Sequence, residues 1–122
     1  MGNPFHGEFS STDASAPGTE PDARVTLYDM LKAAITITAT QTVVITDITI
    51  VAGSAMTVTI FDGANTTVAA GERIAKGNFA ANGGQSSKLA TPHFCKVGTY
   101  PKVLTSVAGQ VDVILHGYVQ GV

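Results

Sequence analysis

The sequence predicts an all-β domain: an antiparallel β-sandwich or jelly roll of about seven to eight short strands, preceded by an extended N-terminal arm. Runs of β-branched residues alternate with a period of two, which suits a pleated ribbon and not a helix. Turn residues punctuate those runs at short intervals. The length, 122 residues, matches one domain and suffices to bury a single core.

Residues 1–23 are rich in Gly, Pro, Ser, Thr and Asp, and Pro4, Pro17 and Pro21 oppose a regular ladder. Phe5 and Phe9 are the available anchors. Such an arm is expected to order only across a partner or across the domain surface. Its deletion should then leave residues 24–122 folded but less firmly attached to their partner. Residues 25–34 suit either one helical turn or an edge strand, because Asp29 and Lys32 interrupt the apolar positions.

From Ile35 the period of two is plain. Ile35, Ile37 and Ala39 alternate with Thr36, Thr38 and Thr40, which predicts a strand. Strands follow over residues 43–51 and 56–61, parted by Gly53 and Ser54 and closed by the turn pair Asp62–Gly63. Residues 68–75 supply another strand, and Asn82–Gly83–Gly84 a turn that tolerates positive φ. Residues 87–91 read as a short strand ended by Pro92. Residues 102–107 and 111–119 flank Ala108–Gly109–Gln110 and predict a closing hairpin.

Two strands look apolar on both faces. In the last, Val111, Val113, Leu115 and Val119 fall on one side, and Asp112, Ile114, His116 and Tyr118 on the other. In the strand from Val43, strict alternation puts Val44, Ile48 and Ile50 opposite Val43, Ile45 and Val51. A sandwich strand with a wet outer face should be polar on alternate residues, so something is expected to cover that face. Charged residues amount to only 13% against 44% hydrophobic, which also fits a partly hidden exterior.

Composition excludes several classes. The most apolar stretch, residues 48–61, is too short and too strand-like to cross a bilayer as a helix, and residues 1–20 hold no apolar signal segment. Gly2 lacks the Ser or Thr that a myristoylation motif needs, since His6 stands there. A soluble chain without a membrane partner is expected. The net charge is −2 and the basic residues are scattered, which argues against nucleic acid. Cys95 is the single cysteine, so neither an intrachain disulfide nor a cysteine-based zinc cluster can form.

No catalytic pattern emerges. Asp47, Asp62, Glu72 and Asp112 sit in separate strands or turns, and no spacing pairs them as acid and base. Asp62 reads as a turn cap, and Asp62-Gly63-Ala64-Asn65 lacks the further carboxylates that calcium needs. His93 and Cys95, two apart, would share a strand face, but two ligands make an incomplete metal site. A surface histidine beside a buried thiol is the reading adopted. No nucleophile elbow appears, and Gly83–Gly84 lies outside any strand–helix phosphate motif. No enzyme, cofactor or metal is therefore expected.

The runs Ile45-Thr46-Asp47-Ile48-Thr49-Ile50-Val51 and Thr57-Val58-Thr59-Ile60-Phe61-Asp62-Gly63, then Thr91-Pro92, and Ala108-Gly109-Gln110-Val111-Asp112-Val113 with Gly117-Tyr118, resemble small β-sandwich proteins of tailed bacteriophages. They are most similar to head decoration, or cement, proteins over residues 35–122. The resemblance implies a jelly-roll-like subunit, often trimeric, that sits on the capsid surface, binds the major capsid protein and is assembled in the host cytoplasm. Phe5, Phe9, Ile114 and Tyr118 are the expected interface residues. The alternative is a receptor- or glycan-binding sandwich of a tail fibre, spike or adhesin, with Tyr28, Tyr100 or Tyr118 as the stacking platform.

Overall fold

A computed structural model describes residues 3–11, 24–62, 71–107 and 109–121, with the side chains of residues 9–11 excepted. It is all-β. Eight strands form: β1 (Asn3–Ser11), β2 (Thr26–Tyr28), β3 (Thr42–Ala52), β4 (Met56–Phe61), β5 (Arg73–Phe79), β6 (Gly83–Phe94), β7 (Lys102–Thr105) and β8 (Val111–Gln120). They make a five-stranded sheet in the order β2-β1-β8-β3-β6 and a three-stranded sheet in the order β5-β4-β7. Among the described residues every ladder is antiparallel. Among the described residues no helix is long and apolar enough to cross a membrane.

The pairing identifies the wrapping. The first strand pairs with the last, the third with the sixth, and the fourth with the fifth. The second reaches the seventh through a bridge between Arg24 and Lys102, beside a hydrogen bond in which the Val25 amide donates to the Pro101 carbonyl at 2.9 Å. These are the contacts of one long hairpin folded over on itself, which is a jelly roll.

Inward-facing side chains of both layers build the core. β3 contributes Val43, Ile45, Ile48 and Ile50, β8 contributes Val111, Val113, Leu115 and Val119, and β4 faces them with Met56, Val58 and Ile60. Ile45 and Ile48 share this face although they are three apart, because the ladder slips between Ile45 and Asp47 and Thr46 is the extra residue. The strict alternation expected for residues 43–51 therefore fails at Thr46. Outward on β3 stand Val44, Asp47, Thr49 and Val51, so this strand is far less apolar on its outer face than its sequence suggested.

Five further expectations change. Residues 3–11, expected as an arm, form β1, which joins β2 to β8 in the middle of the larger sheet. Pro4 is tolerated near the start of that strand, where one missing donor costs little against the nine-residue register with β8. Phe5, expected at an interface, is 4% exposed and belongs to the core. Residues 35–40 form no ladder: Ile37 packs into the core, its amide donates to the Tyr100 hydroxyl at 2.8 Å, and the Gln41 amide closes a turn on the Thr38 carbonyl. Alternation there records packing, not pairing.

β6 runs through Pro92 instead of stopping before it. Lys88 pairs with Asp47 and His93 with Ile45, so in the register with β3 residues 89–92 stand opposite the bulge at Thr46, where Pro92 removes no donor from a regular β3 pair. β7 and β8 are no hairpin. They lie in different sheets. Of the expected features, residues 12–23, the turn and calcium quartet beyond Asp62, residues 68–70 and Ala108 fall outside the described residues.

Candidate functional site

Among the described residues, two places hold chemistry beyond packing: the outer face of the five-stranded sheet, and one edge of the sandwich where the sheets meet.

Across the outer face, registered neighbours form rows, since residues opposite one another in a ladder share a face. One row runs Pro4, Tyr118, Val44, Phe94 over strands β1, β8, β3 and β6. Val44 is fully buried between its two aromatic neighbours, whereas Phe94 is 53% exposed. At the β1 end the row meets the loop after β2, where Met30 and Leu31 line a cleft with Asn3 and Pro4. Met30 is 74% and Leu31 88% exposed.

That loop is held rigidly. The Leu31 and Ala33 amides both donate to Asp29 Oδ1, at 2.8 and 3.0 Å, and the Asp29 amide donates to the Ala33 carbonyl. Lys32 adopts a left-handed φ of 68° to close the turn. Two large apolar side chains are thus presented to water on a fixed tip, in line with the apolar row.

The next row is polar: Tyr28, His6, His116, Asp47 and Lys88 across all five strands. His6 Nε2 lies 2.9 Å from Glu8 Oε2, and His6 Nδ1 lies 3.1 Å from His116 Nε2. A carboxylate can only accept, so in the tautomer with the proton on Nε2 His6 donates to Glu8, and its Nδ1 can accept from His116 Nε2–H. Beyond it lies Ile114, half-buried, between Glu8 and Thr49.

The four expected interface residues are therefore dispersed. Tyr118 is in the apolar row, Ile114 sits among polar neighbours, Phe5 is inside, and the backbone of Phe9 pairs with Val113. Sequence reasoning missed Phe94, Met30 and Leu31. Phe94 lies just beyond Pro92, taken as a strand end, and Met30-Leu31 read as part of an ambiguous helix or strand. Of the tyrosines considered for stacking, Tyr100 is occupied: its hydroxyl accepts from Ile37, and the Arg24 guanidinium lies 4.1 Å over its ring.

The second place is built by the chain ends of two strands. Asp62 follows β4, and His93 and Cys95 stand at and just past the end of β6. Their ligand-type atoms all lie within 4.8 Å of one another, one such group of three among the described residues. Asp62 is buried and accepts from the Lys96 amide at 2.9 Å, and His93 Nε2 lies 3.4 Å from the same oxygen. Sequence spacing gave His93 and Cys95 two ligands at most; the fold brings Asp62 in as a third. Burial, reinforced by the Asp62 carboxylate, pushes the Cys95 thiol up to about 12, against the pull of Lys102. Burial and the Arg24 charge lower the Lys102 ammonium, against Asp62, Cys95 and Glu72, which raise it.

No protein-family model and no curated protein matches the chain. Among solved structures it is similar to a chain in the cryo-EM structure of the virus-like particle of the giant freshwater prawn Macrobrachium rosenbergii extra small virus. The likeness has 12% identity and a TM-score of 0.29, over 93% of this chain and 79% of that chain.

Proposed function

We propose that this chain is a non-enzymatic structural protein of a virion, a decoration or cement subunit that associates with copies of itself and binds the outer face of the shell. The observation that carries this reading is the apolar band of the larger sheet, from Met30 and Leu31 through Pro4, Tyr118 and Val44 to Phe94. Large apolar side chains on a rigid tip and on an outward strand position lose hydrophobic free energy in water, and a protein neighbour would recover it. The jelly-roll wrapping supports the same reading, since viral shell proteins are one of the main users of that fold. The sequence resemblance to head decoration proteins supplies the finer assignment, including the trimer and the major capsid protein as partner.

Electron microscopy of intact particles labelled with an antibody against this protein tests the assignment. Regular labelling over the shell is the expected result. Label confined to the tail, or absent from the particle, contradicts it.

A further inference from the structure

Asp62 closes β4 in the three-stranded sheet, while His93 and Cys95 belong to the end of β6 in the five-stranded sheet. We propose that the carboxylate of Asp62, Nε2 of His93 and the thiolate of Cys95 bind one zinc ion, which clamps the two sheets together at this edge. Phe94 of the apolar band stands between His93 and Cys95 in the chain, but the site depends on no role on a particle.

The donor set suits zinc. Carboxylate oxygen, imidazole nitrogen and thiolate sulfur are its ordinary ligands, and three protein ligands leave a fourth tetrahedral position for water. Bond lengths of about 2.0–2.3 Å place two ligands of a tetrahedral zinc roughly 3.3–3.8 Å apart. His93 Nε2 and Asp62 Oδ2 are 3.4 Å apart, long for a hydrogen bond but right for two ligands of one ion. All three atoms lie within 4.8 Å, so small side-chain rotations close the set.

The surroundings hold the ligands in place. The Lys96 amide donates to Asp62 Oδ2, the oxygen that faces His93, and so fixes the carboxylate's orientation, and the Cys95 amide donates to the Val43 carbonyl at 2.9 Å. His93 is held opposite Ile45 in the β3–β6 ladder. Charge also fits. An ionised Asp62 and a Cys95 thiolate together carry two negative charges, which the divalent ion neutralises. Lys102 and Arg24, the cations that act on this edge, then face a neutral complex. A chain with one cysteine cannot staple its sheets with a disulfide; a mixed-ligand metal site would do that work.

Cobalt(II), a spectroscopic substitute for zinc, tests this on the full-length metal-free protein. The expected result is one-to-one binding with a thiolate-to-cobalt charge-transfer band and the intense visible bands of a tetrahedral site. Zinc(II) should displace the cobalt and raise the melting temperature, and a chelator should reverse both. His93→Gln changes a half-buried side chain, keeps the fold and should weaken cobalt binding by at least about tenfold. Cobalt binding without the charge-transfer band, no binding at micromolar metal, or unchanged affinity in His93→Gln would each overturn the proposal.

Discussion

Gly117 of β8 lies so close to β3 that a β-carbon there would collide with the Val44 carbonyl. The contact falls where the β3–β8 ladder slips, with Ile45 opposite Gly117 and Asp47 opposite His116. The bulge that returns Ile48 and Ile50 to the core thus depends on a glycine on the neighbouring strand.

Gly117→Ala should therefore destabilise the protein by more than about 2 kcal/mol, because the obstruction is backbone and cannot rotate away. Urea unfolding of the two proteins measures it. A loss below half that size would mean that the strands separate there at little cost.

The general architecture was legible in the sequence because period-two alternation and turn residues are local signals. The bulge at Thr46 was not, since one inserted residue exchanges the faces of everything after it without changing composition. That slip is why β3 read as apolar on both faces. Residues 35–40 misled in the opposite way: the alternation was real, but Ile37 and its neighbours pack without pairing. The Asp62–His93–Cys95 group was invisible because its members meet only when β4 and β6 are brought together from opposite sheets.

The N-terminal strand gives a second test. β1 pairs with β2 on one side and β8 on the other, and Phe5 is in the core. Removing residues 1–11 should abolish cooperative unfolding or lower the melting temperature sharply, since an inner strand is lost, β8 becomes an edge and β2 loses its sheet partner. A truncated protein that melts like the full chain would show β1 to be dispensable.

Cys95 predicts a pH dependence in metal-free protein. The folded thiol sits near 12 and the unfolded one near its ordinary 9.0. Folding therefore holds a proton that the unfolded chain releases, and this contribution is complete below the unfolded value. It declines as pH rises from 9.0 towards about 12, by up to about 1.4 kcal/mol per pH unit. Urea unfolding at about pH 8 and about pH 10 should show a steeper loss for wild type than for Cys95→Ala. Parallel losses in the two proteins would place the thiol in a wetter setting than the structure gives it.

The apolar band from Met30 and Leu31 to Phe94 is proposed as the surface that other copies cover. Sedimentation velocity at micromolar concentration, comparing wild type with the triple variant Met30→Ser, Leu31→Ser, Phe94→Ser, tests it most directly. All three positions are exposed, so the variant should keep its fold and melt within a few degrees of wild type. Wild type should sediment as an oligomer, with a trimer expected, and the variant as a monomer. A monomeric wild type, or an oligomer that the three substitutions leave intact, would contradict the claim.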